Sequence, residues 1–221
     1  MIRRVYEQAS LSSSLNQVVV ATDDHRIFDH VAEFGHVVMT GLHHQSGTDR
    51  CHETLVQLNQ DGKYKPTDCV INIQGDEPFI HPGQISQLAR MLGDTEKQIV
   101  TLARQLENRE KASDPNMVKV VFSDSGRALY FSRYPIPFVR EKTDQAPKKP
   151  YQHIGLYGFR IGTLRRIAGM PAGSLEEAEK LEQLRWMQQD LEIFVEETYT
   201  ESISVDTPED LRALLERGDL P

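Results

Sequence analysis

The sequence predicts an α/β protein: a doubly wound, mostly parallel sheet with a small antiparallel lobe, in one domain spanning residues 1–221. Three observations predict it. Gln17-Val-Val-Val-Ala21, His36-Val-Val-Met-Thr40 and Gln98-Ile-Val-Thr-Leu-Ala103 are short continuous apolar runs, the mark of strands buried on both faces of a parallel sheet. Helical patterns separate these runs, and strands alternating with helices wind into such a sheet. Met117-Val-Lys-Val-Val-Phe122 and Arg127-Ala-Leu-Tyr-Phe-Ser132 alternate around Ser123-Asp-Ser-Gly126, which adds an antiparallel hairpin.

In chain order, Ile2, Val5, Tyr6 and Ala9 fall on one face of a helix over residues 1–11 that no capping residue precedes. The first strand leads to Thr22-Asp23-Asp24, then to a helix ending near Phe34, then to the second strand. Gly41-Leu-His-His-Gln-Ser-Gly-Thr-Asp-Arg50 opens a helix through Leu58. Backbone N–H groups and small hydroxyls at Ser46-Gly47-Thr48 make a cradle for a polar or anionic ligand. The same residues read equally as a capped loop, with Thr48 or Asp49 as N-cap. His43, His44 and His52 lie close by, in a spacing that matches no metal motif.

Cys69-Val-Ile-Asn-Ile-Gln-Gly-Asp-Glu-Pro78 is a strand running into a glycine turn and two carboxylates. Loops after the carboxyl ends of strands are where open α/β sheets bind ligands. Asp76 there suits a hard cation, although Asp and Gly are also ordinary turn residues. Helix follows over Gly83–Met91. After the hairpin, Arg133 emerges into Tyr-Pro-Ile-Pro, and residues 139–151 read as a flexible surface loop. His153-Ile-Gly-Leu-Tyr-Gly-Phe-Arg160 is a strand. Ser174 and Glu177 form a capping-box pattern at the start of a helix whose apolar face is Leu175, Ala178, Leu181, Leu184 and the stem of Arg185. Ile193–Val195 and Ile203–Val205 are late strands, and Asp206-Thr-Pro-Glu-Asp210 starts a last helix.

Composition narrows the function classes. Hydrophobic residues make up 38% of the chain and charged residues 26%, with a formal net charge of −8. That charge argues against nucleic acid as the main partner. No apolar run approaches the length of a membrane span, and no signal-peptide pattern opens the chain. Cys51 and Cys69 make neither a disulfide framework nor a metal-ligand spacing, which fits a reducing, cytoplasmic compartment.

Gln74-Gly-Asp-Glu-Pro78, His44-Gln-Ser-Gly-Thr-Asp-Arg50, Ala128-Leu-Tyr-Phe-Ser-Arg133, His153-Ile-Gly-Leu-Tyr-Gly158, Leu181-Glu-Gln-Leu-Arg185 and Val205-Asp-Thr-Pro-Glu-Asp210 form an ordered set. Together they resemble the 3-deoxy-manno-octulosonate cytidylyltransferases, enzymes with a nucleotide-diphospho-sugar-transferase-like fold. The resemblance covers essentially the whole chain. It implies a Mg²⁺-dependent reaction of CTP with 3-deoxy-manno-octulosonate (Kdo), giving CMP-Kdo and pyrophosphate for lipopolysaccharide synthesis, in a homodimer.

On this resemblance Asp76 and Asp206 are the catalytic metal ligands. Ser46, Gly47, Thr48 and Arg50 line the cytidine pocket, with Thr22 and Asp23 close by. Gln74, Arg133, His153, Glu182 and Gln183 form the pocket for the acidic sugar, where a guanidinium suits a carboxylate. Tyr130 and Tyr157 read as packing residues. The family's opening strand and its loop, of the kind Pro-Ala-Arg-x-x-Ser-x-Arg-x-Pro-Gly-Lys-Pro, have no counterpart in these 221 residues. Two unpaired strand edges are therefore expected inside the fold. Three readings follow: a synthetase with a misassigned start, an inactive sugar-nucleotide-binding remnant, or a glycosyltransferase with a similar nucleotide fold.

Overall fold

The computed structural model describes residues 1–107, 109–140, 149–200, 205 and 212. The elements run α1 (Ile2–Ser10), β1 (Val20–Thr22), α2 (His25–Ala32), β2 (Val37–Met39), α3 (Gly47–Leu58), β3 (Cys69–Asn72), α4 (Pro82–Met91) and β4 (Ile99–Gln105). A 3₁₀ turn (Arg109–Ser113) leads to β5 (Lys119–Phe122), β6 (Ala128–Ser132), β7 (Tyr151–Arg160), α5 (Ile161–Ile167), α6 (Ser174–Glu179), α7 (Gln183–Gln188) and β8 (Ile193–Glu197). The second late strand and the last helix expected from the sequence lie outside the described residues, as do residues 141–148 of the expected loop.

β4 shows why the sheet is covered on both faces. Ile99 and Ala103 belong to one buried cluster, with Phe159, Leu164, Leu184 and Trp186. Val100 and Leu102, pointing the other way, belong to a second, with Ile85, Leu88, Leu156 and Ala9. Side chains alternate across a strand, so a continuous apolar run must bury both of its faces. Trp186 is fully buried and meets the rings of Tyr157 and Phe159 edge-on, at centroid distances of 5.2 and 5.4 Å.

The α/β architecture is as expected, and the sheet is mixed. β4 and β8 are parallel, as are β1 and β2, while β3 and β4 both run against β7. β3, β4 and β8 therefore share one direction, and β7 lies reversed between β3 and β4. The reason is its origin. β7 returns from the antiparallel lobe, where β5 pairs with both β6 and β7, whereas a parallel neighbour would need a crossover connection. Gly158 makes the packing possible: a Cβ there would lie 2.8 Å from side-chain carbons of both Leu92 and Val100.

No ladder joins β1 to β3 among the described residues. β1 and β2 form a separate two-stranded sheet, and β3 pairs only with β7.

The segment after residue 173 departs from the single helix predicted. Lys180 adopts φ 54° and ψ 46°, which ends α6 and turns the chain before α7. The expected Ser174–Glu177 capping box does not form. Gly173 is the N-cap, with its N–H directed at Glu176 Oε2 at 3.4 Å, and Ser174 Oγ instead accepts from Gln188 Nε2 at 3.1 Å.

Lys119 is buried with no exposed surface. Its ammonium donates to the carbonyls of Asp114 (2.8 Å), Met117 (2.6 Å) and Arg133. One side chain thus ties the start of β5 to the turn before it and to the end of β6.

Candidate active site

β3 ends at Asn72, and its apolar run stops at a turn in which the Glu77 N–H bonds to the Gln74 carbonyl at 3.3 Å. α1 braces this turn from one side. Arg4 Nε donates to the Pro78 carbonyl at 2.9 Å, and its guanidinium lies 4.7 Å from the centre of the Phe79 ring. The Asp76 carbonyl accepts the Val205 N–H at 2.8 Å, so the chain just before position 206 meets the turn. Asp206 itself lies outside the described residues.

Ser46 is the N-cap of α3, in place of the expected Thr48 or Asp49, and its Oγ accepts the Asp49 N–H at 3.1 Å. Gly47 packs against β3: a Cβ there would come within 3.1 Å of the Gln74 amide and 3.3 Å of Asn72 Nδ2. Thr48 Oγ1 donates to Glu182 Oε2 at 2.8 Å, across 134 positions of sequence. The start of α3, the end of β3 and the start of α7 therefore meet at one place.

Arg50 reaches the opposite way. It donates to Asp23 Oδ2 at 2.7 Å and to Thr40 Oγ1 at 2.5 Å, while Thr22 Oγ1 accepts the Asp24 N–H at 3.1 Å. The hydrogen bond from Arg50 holds the Asp23 carboxyl below its usual range. Thr22, Asp23 and Arg50 thus form one cluster at the carboxyl ends of β1 and β2.

The expected sugar-pocket residues divide. Glu182 and Gln183 sit together at the start of α7, with Gln183 buried. Burial raises the Glu182 carboxyl, against the opposing hydrogen bond from Thr48 and the charge of Arg185. Arg185 bonds to Glu182 Oε1 at 2.7 Å and to the Met170 carbonyl at 2.6 Å. Arg133 is engaged otherwise. Its guanidinium donates to the carbonyls of Glu179 (2.7 Å), Pro115 (2.9 Å) and Lys180 (3.4 Å), capping the end of α6. Gripping a carboxylate would require it to give up some of these bonds.

His153 is buried beside Phe131 and Tyr157, at ring distances of 5.0 and 5.2 Å. Its Nε2 lies 2.9 Å from Thr101 Oγ1, which is itself 2.8 Å from the Leu156 carbonyl. The single hydroxyl proton goes to the carbonyl, so the oxygen accepts from His153 Nε2–H and the neutral ring keeps its lone pair on Nδ1. The ladder between β4 and β7 shifts register at Thr101/Leu102, an irregularity of the kind found beside active sites. Tyr157 packs within the core as expected, although its buried hydroxyl finds no hydrogen-bond partner among the described residues.

Two concavities stand out on the described surface. One of about 800 Å³ is lined by Ser46 and Asp49 of the α3 start, Gly169 and Met170, and Glu182 and Arg185. Another, of about 530 Å³, lies between β5 and β8 and includes none of the expected site residues.

The chain as a whole has counterparts. The cytidylyltransferase family matches residues 1–197. A 3-deoxy-manno-octulosonate cytidylyltransferase from Thermodesulfovibrio yellowstonii is 44% identical over 96% of this chain and 85% of its own. The chain belongs to the 3-deoxy-manno-octulosonate cytidylyltransferase family. An 8-amino-3,8-dideoxy-manno-octulosonate cytidylyltransferase from Shewanella halifaxensis is 42% identical over 96% of this chain and 85% of its own. A solved CMP:2-keto-3-deoxy-manno-octonic acid synthetase complexed with CTP superposes with a TM-score of 0.86 at 36% identity, covering 98% of this chain and 88% of that one. A 4-diphosphocytidyl-2C-methyl-D-erythritol synthase, 14% identical with a TM-score of 0.57, shares the fold alone. Nothing in these comparisons supports the reading as an inactive remnant.

For a cytidylyltransferase of this family, sequence reasoning overlooked several supporting residues. Thr101 orients His153, and its one signal was a hydroxyl inside an apolar strand. Asn72, Thr40 and Arg185 are polar and buried, which only their tertiary partners account for.

His153 gives this fold a pH dependence. Burial pushes its imidazole down to about 3, from an ordinary 6.5. Between those values the unfolded chain binds a proton that the folded chain refuses, so stability falls as pH drops below 6.5 and is unaffected above it. The slope from His153 approaches about 1.4 kcal/mol per pH unit. His52, also lowered by burial, acts with the same sign. Urea melts at pH 7.5 and 5.5 should show a smaller loss for His153→Gln than for the parent. Equal losses would show that His153 titrates normally in the folded chain.

Proposed function

We propose that this chain transfers CMP from CTP to Kdo, forming CMP-Kdo and pyrophosphate for lipopolysaccharide synthesis. The observation that carries the reading is the identity of 42–44% over 96–97% of the chain to relatives named for this reaction. The contact between the α3 start and Glu182 supports it, because it brings a nucleotide cradle beside a polar pocket. In the reaction a sugar hydroxyl oxygen attacks the α-phosphorus and gives up its proton to solvent, the α–β phosphoanhydride bond breaks, and pyrophosphate leaves with the bridging oxygen.

The protein residues bind and orient. Backbone N–H groups of Gly47 and Thr48, together with Ser46 and Arg50, hold the cytidine side, with Thr22 and Asp23 backing Arg50. Gln74, His153, Glu182 and Gln183 hold the sugar, and Nδ1 of neutral His153 can accept from a sugar hydroxyl. Arg133 takes the sugar carboxylate on the strength of the family resemblance. Asp76 and Asp206 would hold Mg²⁺. Asp76 fits by chemistry, a carboxylate in a loop at a strand's carboxyl end, and oxygen donors suit this ion. When bound, Mg²⁺ neutralises triphosphate charge and lowers the pKa of the attacking hydroxyl. The enzyme works in the cytoplasm as a homodimer.

Pyrophosphate release should be measured with CTP and Mg²⁺ against Kdo and against its 8-amino analogue. Release with Kdo is expected. No release with either sugar would dismiss the reading, and release with the amino sugar alone would move the chain to the other branch of relatives.

A further inference from the structure

We infer that His43, His44 and Glu53 form a binding site for a divalent transition ion of the Zn²⁺ type, separate from the Mg²⁺ pair. Their ligand atoms all lie within 4.8 Å of one another. His44 Nε2 is already in hydrogen-bond contact with Glu53 Oε2, and the two imidazoles lie 4.3 Å apart, inclined by 40°. His44 and Glu53 alone are explained by their mutual bond. His43 is not: among the described residues its ring makes no hydrogen bond or ion pair, yet it is held against the other two.

What surrounds the three residues is what a metal site requires. Ligating carboxylates are usually oriented by further hydrogen bonds. Glu53 Oε2 accepts the Gly41 N–H at 2.9 Å, and Oε1 accepts from Gln57 Nε2 at 2.9 Å. Gln57 is in turn anchored on the Met39 carbonyl at 2.9 Å. Gly41 makes room for His43, since a Cβ would stand 2.5 Å from its ring. Glycine at 41 is thus the residue that lets this imidazole fold back over the loop toward Glu53.

Two imidazoles and a carboxylate are a borderline nitrogen and oxygen set, suited to Zn²⁺, whereas an all-oxygen set suits Mg²⁺. Binding selects the neutral His44 tautomer: the proton leaves Nε2 and is taken up at Nδ1 through solvent, and the ion occupies the place of the hydrogen between His44 and Glu53. Zn–N bonds of about 2.0–2.1 Å place neighbouring ligand atoms roughly 3.4 Å apart, so the His44–Glu53 pair opens from its hydrogen-bond contact while His43 closes toward both. Rotation of the exposed His43 side chain supplies most of that movement. The fourth position is left for water. Because the loop runs directly into Ser46, the ion would pin residues 41–44 to α3 and stiffen the nucleotide cradle.

The test uses untagged, chelator-treated protein titrated with Co²⁺, whose visible absorption reports nitrogen-rich coordination, followed by competition with Zn²⁺. Saturation at one equivalent is expected, with displacement by Zn²⁺ but not by millimolar Mg²⁺. His43→Ala and Glu53→Gln should each weaken binding by roughly tenfold or more, the lower bound known for loss of an outer-shell partner. Asp76→Asn should leave it unchanged. Absence of saturable uptake would overturn the proposal. So would uptake that survives His43→Ala, or uptake abolished by Asp76→Asn, which would put the ion at the Mg²⁺ pair.

Discussion

Asp76→Asn should lower turnover of CTP and Kdo by about three powers of ten while the melting temperature stays essentially unchanged. The expected size follows from the charge involved. A metal that neutralises a triphosphate contributes on the order of 4 kcal/mol to the transition state, and each ~1.4 kcal/mol is tenfold in rate. An amide has nearly the shape of the carboxylate and carries no charge. One fold contact at this position runs through the backbone, from Val205 N–H to the Asp76 carbonyl, and the substitution leaves that contact in place. Steady-state rates across a Mg²⁺ series, beside a thermal melt, make the measurement. A variant within tenfold of the parent would remove Asp76 from the metal site.

Lys119→Met is expected to cost about 3 kcal/mol of stability, with a fall of roughly 6–12 °C in melting temperature for a chain of this size. Methionine refills most of the volume, so little of the loss comes from packing. Instead three carbonyls, of Asp114, Met117 and Arg133, lose their donor at once. Each is a part-buried hydrogen bond to a charged donor, and losing one costs about 1 kcal/mol. Burial pulls the Lys119 ammonium down from its ordinary value, while the Asp114 and Glu179 charges oppose that. The β5–β6 lobe should loosen first, because the bond to the Arg133 carbonyl closes its open end. Hydrogen exchange localised to residues 117–133 would report it. A stability change below ~1 kcal/mol would show that water replaces the ammonium at those carbonyls.

Part of the candidate site is legible residue by residue. Asp76 was conspicuous because an apolar strand ended in Gly-Asp-Glu-Pro, and Ser46-Gly-Thr because small polar residues opened a helix. The histidines beside that loop show the limit. Spacing along the chain gives no metal motif, since the third residue of the proposed site is not another histidine but Glu53, on the second turn of α3. Arg133 shows a different limit. A guanidinium after a strand suggests a carboxylate ligand, yet here it caps α6 through carbonyls of Glu179 and Lys180, which no local pattern announces.

What the sequence by itself determined is whatever rests on neighbours within a few positions: the apolar runs of β1, β4 and β7, the hairpin of β5 and β6, the turn at Gln74–Pro78, and the ordered motifs that mark the family. Only the tertiary structure decided the partners of buried polar groups, as in Thr48 with Glu182, His153 with Thr101, and Lys119 with three carbonyls. It also decided that β7 lies antiparallel between β3 and β4. The physical reason is range. Periodicity and turn chemistry act between residues close in sequence, whereas strand direction and hydrogen-bond partners follow from contacts that only the assembled core brings together.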